Sequence, residues 1–109
     1  MMRAASRFLP PVAVLASMLA AAVPAQAGTI QVVIEKLAFS PAEISAHVGD
    51  TIEWINKDPL AHTATVKGGW EVMIPAKKTV SRKLETAEAV DFYCRFHPNM
   101  TGRLTVEAR

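Results

Sequence analysis

The sequence predicts an all-β sandwich or barrel of seven or eight short strands, and three observations carry that reading. Apolar residues recur at every second position through most of the chain after Gly28. Gly, Pro, Asn and Asp punctuate these runs at short intervals. No stretch repeats with the helical period.

The strands follow in order. "TIQVVIEKLAF" (29–39) places Ile30, Val32 and Ile34 on one face, and Pro41 and Gly49-Asp50 punctuate the segment after it. "TIEWIN" (51–56) alternates, with Ile52, Trp54 and Asn56 together. "HTATV" (62–66) aligns His62, Ala64 and Val66 before the Gly68-Gly69 turn. "WEVMI" and "TVSRKL" flank "PAKK", whose Lys77 and Lys78 read as a solvated turn. "AVDFYC" (89–94) aligns Val90, Phe92 and Cys94, and "GRLTVEA" closes the chain with Leu104 and Val106 inward. "SPAE" and "ETAEA" have room for one helical turn each. Strand side chains alternate between faces, so Asn56, His62 and Cys94 all point toward the core. Buried polar groups need partners, and each of these three calls for one.

Ahead of the strands lies a processing signal. Arg3 and Arg7 precede the apolar run "VAVLASMLAAAV" (12–23), and "AQA" (25–27) is an A-x-A cleavage site. Residues 1–27 therefore read as a secretory signal peptide and residues 28–109 as one domain. The apolar run falls short of the about 20 residues that span a bilayer, so no membrane anchor is expected after cleavage. The chain has 12 Lys and Arg against 10 Asp and Glu, and Arg3 and Arg7 account for the whole excess. A neutral domain offers no basic footprint for nucleic acid. A secreted domain this small needs a staple, and one cysteine cannot form an internal disulfide. A bound metal would serve.

The candidate ligands sit at one end of this pattern. Cys94-x2-His97-x2-Met100 follows directly on a strand, Pro98 stiffens the loop, and His62 arrives from an earlier strand end. Structural zinc wants four strong ligands, and calcium or magnesium wants carboxylates; this loop offers neither. Two imidazoles, a thiolate and a distant thioether suit copper in both oxidation states, as in a blue electron-transfer centre. Two other readings use the same residues: a copper-delivery protein holding Cu(I), and an enzyme with Cys94 as nucleophile and a histidine as base. The enzyme fits less well, because a catalytic thiolate needs an accessible cleft and Cys94 faces the core. His47 has a weak claim as a ligand, and Trp70 reads equally as core or surface.

"CRFHPNM", with proline directly after the histidine, and "GDTIEWIN" followed by "KDPLAHT" together resemble the cupredoxins, the type 1 blue copper proteins. The resemblance is nearest to the amicyanin and plastocyanin-like members and spans Gly28 to the end. It implies a Greek-key β-sandwich holding one copper, Cu(II)/Cu(I), with His62, Cys94, His97 and axial Met100 as ligands. It implies a periplasmic, monomeric one-electron carrier whose partners are redox proteins such as a c-type cytochrome or a dehydrogenase. It also implies that Asn56 ties its own loop to the one bearing the cysteine. Two departures stand out. The stretch between His62 and Cys94 is shorter than in typical amicyanins, and Phe96 replaces the proline before the last histidine. Phe96 keeps an N–H that proline lacks. If that N–H reaches the Cys94 sulfur it favours Cu(I), and Phe96→Pro is expected to lower the reduction potential.

Overall fold

The computed structural model describes residues 26–109. The apolar run of the leader and Ala25 lie outside the described residues. Nine strands form there, and no helix: β1 Thr29–Glu35, β2 Ala38–Ser40, β3 Glu43–His47, β4 Thr51–Asn56, β5 His62–Thr65, β6 Glu71–Ile74, β7 Thr79–Lys83, β8 Glu88–Tyr93 and β9 Thr101–Glu107. One sheet runs β2-β1-β4-β7 and the other β3-β9-β8-β5-β6. Within them β1 lies parallel to β4 and β3 parallel to β9.

The inward positions read from the sequence form the core. Val32, Ile34, Ile52, Trp54, Ile74 and Leu104 are fully buried, with Phe92 against them. Each of the larger side chains contributes about 1.5–3 kcal/mol of burial. Phe92 meets Phe39 edge-to-face at 4.9 Å.

Three local features differ from expectation. The 29–39 segment is a hairpin, broken at Lys36 and Leu37, whose φ angles are 53° and 60°. A two-residue turn with both φ positive matches strand twist but is costly without glycine. The segment after Pro41 holds no helical turn. Glu43–His47 is a strand, with Ile44 and Ala46 buried, because it pairs with β9 from the far end of the sequence. In β5 the alternation of burial fails, since Thr63 is as buried as His62 and Ala64. The strand pairs with β6 on one side and touches β8 on the other, and Arg95 and Glu71 reach its hydroxyl face.

The two ends of the sandwich are chemically distinct. At one end β4 closes on Asn56, β5 opens on His62 and β8 leads into Cys94. At the other, His47, Asp50 and Glu107 gather beside Arg109.

Gly102 allows the β8–β9 pair to close over the core. A Cβ there would overlap the Phe92 ring and stand 2.8 Å from the Ala42 carbonyl oxygen. Gly102→Ala should destabilise the domain by about 1–3 kcal/mol, read as a lower denaturation midpoint.

Candidate metal centre

Parity puts Cys94 at the inner mouth of the sandwich, one residue beyond β8, with its side chain wholly buried. The chain then turns back on itself. Cys94 N–H donates to Met100 O at 2.9 Å, His97 N–H to Cys94 O at 3.2 Å, and Met100 N–H to His97 O at 2.8 Å. These bonds return His97 to the cysteine and bury Met100 beneath the loop, at 3% exposure.

His62 comes from the first position of β5 and is also fully buried. Its Nδ1 lies 3.7 Å from Cys94 Sγ, and His97 Nδ1 lies 3.6 Å from the same sulfur. All three donor atoms fall within 4.8 Å of one another. An ion about 2.0–2.3 Å from three roughly coplanar donors requires donor separations of about 3.5–3.7 Å. Both nitrogen–sulfur separations meet that requirement, so the chain holds a cysteine sulfur and two imidazoles where one metal ion can reach all three.

The tautomer of His62 is set by Asp58. Asp58 Oδ2 stands 2.8 Å from His62 Nε2 in a buried contact. Burial pushes the Asp58 carboxyl up. The Leu37 N–H, the His62 ring and the Lys36 N–H outweigh that and hold it below the usual carboxylate range. An ionised carboxylate accepts, so Nε2 carries the proton and Nδ1 presents its lone pair toward the sulfur. The same carboxylate takes the amides of Lys36 at 2.7 Å and Leu37 at 3.0 Å. It thus offsets the cost of the positive-φ turn. Composition and strand parity do not single out Asp58; its one sequence signal is an acid four residues before an inward histidine.

Asn56 is buried, as its parity requires, but its bonds differ from the tie that the resemblance implies. Its Nδ2 faces the carbonyls of Leu60 at 2.9 Å, Pro75 at 3.1 Å and Ile74 at 3.3 Å, while Oδ1 accepts the Asp58 N–H at 2.9 Å. Asn56 braces the loop that carries Asp58 and leads to His62, and fastens it to the β6–β7 connection. Thr63 makes the link to the cysteine loop instead. Its N–H reaches Cys94 Sγ at 3.4 Å, and its hydroxyl accepts the Arg95 N–H at 2.8 Å.

Phe96 also departs from expectation. Among the described residues, the backbone N–H bonded to Sγ is that of Thr63, not Phe96. With the sulfur's amide contact made by Thr63, Phe96→Pro has no N–H to Sγ bond to remove. The Phe96 ring is 46% exposed beside His97, under the Arg95 guanidinium at 4.9 Å, and Arg95 is itself held by Glu71. His47 stands at the opposite end near Glu107, 3.9 Å away, and takes no part. Trp70 packs beside the core with its indole N–H on Glu88 and Arg82 over its ring.

A lone thiolate and two imidazoles converging at one end of a two-sheet β-sandwich define a mononuclear copper protein. The chain belongs to the cupredoxins: the Cupredoxin-like domain model matches residues 9–106. Amicyanin-alpha of Methylorubrum extorquens is 31% identical over 111 residues, covering 95% of this chain and 93% of that protein. Amicyanin of Paracoccus denitrificans is 31% identical over 90 residues, covering 73% and 66%. Among solved structures, a reduced amicyanin mutant with proline changed to phenylalanine superposes with TM-score 0.65 at 30% identity, covering 72% of this chain and 82% of that one. A Cu(I) form of a methionine-to-glutamine amicyanin mutant gives 0.66 at 29% identity, covering 73% and 83%. Copper is the cofactor, His62, Cys94 and His97 are positioned to hold it, and proteins of this kind are electron carriers rather than enzymes.

Removing the carboxylate that orients His62 should loosen the metal without unfolding the sheets. Asp58→Ala is expected to weaken copper affinity about 10–100-fold in competition with a chelator, while Asp58→Asn, which keeps an acceptor, loses less.

Proposed function

We propose that this chain is a periplasmic blue-copper protein that carries one electron at a time between redox partners. His62, Cys94 and His97 would hold the copper, and Met100, buried beneath the same loop, would supply a weaker thioether donor. The observation that carries the reading is the convergence of two Nδ1 atoms on Cys94 Sγ at 3.6 and 3.7 Å. When bound, copper supplies a one-electron couple that both soft and borderline donors tolerate.

The protein's own groups do the rest. Asp58 keeps the His62 proton on Nε2, and the Thr63 N–H supports the negative sulfur. Total burial of Cys94 and His62 shuts out water. Asn56 acts at one remove, by fixing the loop that positions Asp58. Burial of these donors favours retention of copper over its delivery. His97 is the ligand nearest the surface. Beside it Leu37, Phe96, Pro98 and Asn99 line a shallow groove that reaches Met100, and Leu37 and Phe96 are each 46% exposed. A small apolar face of this kind suits brief encounters with a c-type cytochrome or a dehydrogenase. Residues 1–27, read as a secretory leader, support export to the periplasm, with residues 28–109 as the copper-binding domain.

Addition of Cu(II) to the mature protein should produce intense mid-visible absorption, a type 1 EPR signal and reversible voltammetry. Cys94→Ser should abolish the visible band, and Met100→Leu should keep it while raising the potential. A colourless protein that binds only Cu(I) and surrenders it readily would instead identify a delivery protein.

A further inference from the structure

The end of the sandwich remote from copper contains an acid whose surroundings the electron-carrier role does not use. Asp50 is 7% exposed, and its two carboxylate oxygens gather partners that are far apart in the sequence. Oδ1 accepts the Gly28 backbone N–H at 2.9 Å and faces Arg109 Nη2 at 2.6 Å, while Oδ2 accepts the His47 N–H at 2.9 Å. Arg109 is held in place by the Val48 carbonyl at 3.0 Å. Gly28 is fixed from its other side, because its carbonyl accepts the Thr51 N–H at 2.9 Å. The atom facing Asp50 is thus the nitrogen that cleavage after "AQA" would turn into a new chain terminus.

We propose that Gly28, freed by cleavage after Ala27, becomes an ammonium that locks onto Asp50, so that removal of the leader completes the base of the sandwich. The proposal rests on the reading of residues 1–27 as a leader. In the uncut chain, Gly28 offers Asp50 a neutral amide N–H. Hydrolysis of the Ala27–Gly28 bond gives Ala27 a carboxylate, which departs with the leader, and gives Gly28 an α-amino group that is protonated near neutral pH. The nitrogen already stands at hydrogen-bond distance, so the charge is gained with little rearrangement. A charge-assisted bond to a carboxylate is about twice as strong as its neutral counterpart. Burial of Asp50 limits the screening that weakens surface pairs. Cleavage also removes the Gln26 carbonyl that Arg109 Nη1 reaches at 3.2 Å, leaving the Arg109–Asp50 contact in place. One carboxylate then ties the residue before β1 to the segment after β9. Because β1 and β4 pair in register from Thr29–Thr51 to Ile34–Asn56, this clamp lies a strand's length, about 20 Å, from the Asn56 end that carries the metal ligands.

A thermal cycle on the copper-loaded protein tests the clamp. Four chains are compared: one starting at Gly28 and one carrying residues 25–27 ahead of it with a blocked terminus, each with Asp50 and with Asp50→Asn. The Asp50→Asn penalty in melting temperature should be about 5 °C larger in the Gly28-starting chain, with the visible copper band unchanged throughout. Equal penalties overturn the clamp. If Asp50→Asn does not fold, selective acetylation of the Gly28 amine in the unsubstituted chain replaces it. A drop to the melting temperature of the extended chain supports the lock, and no drop overturns it. Intact mass of the exported protein separately reports the cleavage point. A start at Gly28 supports the leader reading, and another start overturns that reading whatever the thermal cycle gives.

Discussion

Three donors that bind copper must be kept at the right spacing whether or not an electron is present, and the Asp58–His62 bond is where this chain meets that demand. A histidine on a strand end can rotate about its side-chain bonds and can carry its proton on either nitrogen. The buried carboxylate fixes both, leaving Nδ1 as the acceptor facing the sulfur. The same carboxylate holds the Lys36–Leu37 turn, whose Leu37 forms part of the apolar face beside His97. One side chain therefore couples the innermost ligand to the surface through which electrons would pass. Asn56 and Thr63 extend the support, one by bracing the loop beneath Asp58 and the other by bridging β5 to the cysteine loop.

The sandwich separates two tasks along its length. Its copper end consists of loops and strand ends whose polar atoms are absorbed by neighbouring main chain. Its opposite end draws together Asp50, the Gly28 nitrogen and Arg109, joining the start of β1 to the segment after β9. A small domain with a single cysteine has no disulfide to do this. A metal at one end and a charged clamp at the other each tie together segments that a small buried surface alone holds weakly.

Much of this was legible in the sequence because a period of two is hard to disguise. Alternation alone placed Asn56, His62 and Cys94 inward, and the ligand spacing nominated the metal. What alternation could not reveal was non-local. Glu43–His47 reads as an irregular segment until β9 is there to pair with it. Thr63 reads as a solvent-facing threonine until Arg95 covers it, so alternation points to Phe96 and not to Thr63 for the contact with the sulfur. Asp58 reads as an ordinary Asp-Pro turn residue. Gly102 has no local sequence signal at all, since its constraint comes from the Phe92 ring across the sheet.

That the protein, rather than the metal, sets the ligand geometry is tested most directly by crystal structures of residues 28–109 with and without copper. The account predicts that Cys94 Sγ and the two Nδ1 atoms keep their separations within about half an ångström, with the Asp58–His62 bond intact in both forms. A metal-free structure in which His62 has rotated away from Asp58, or in which the donors have spread beyond copper-binding distance, would contradict it.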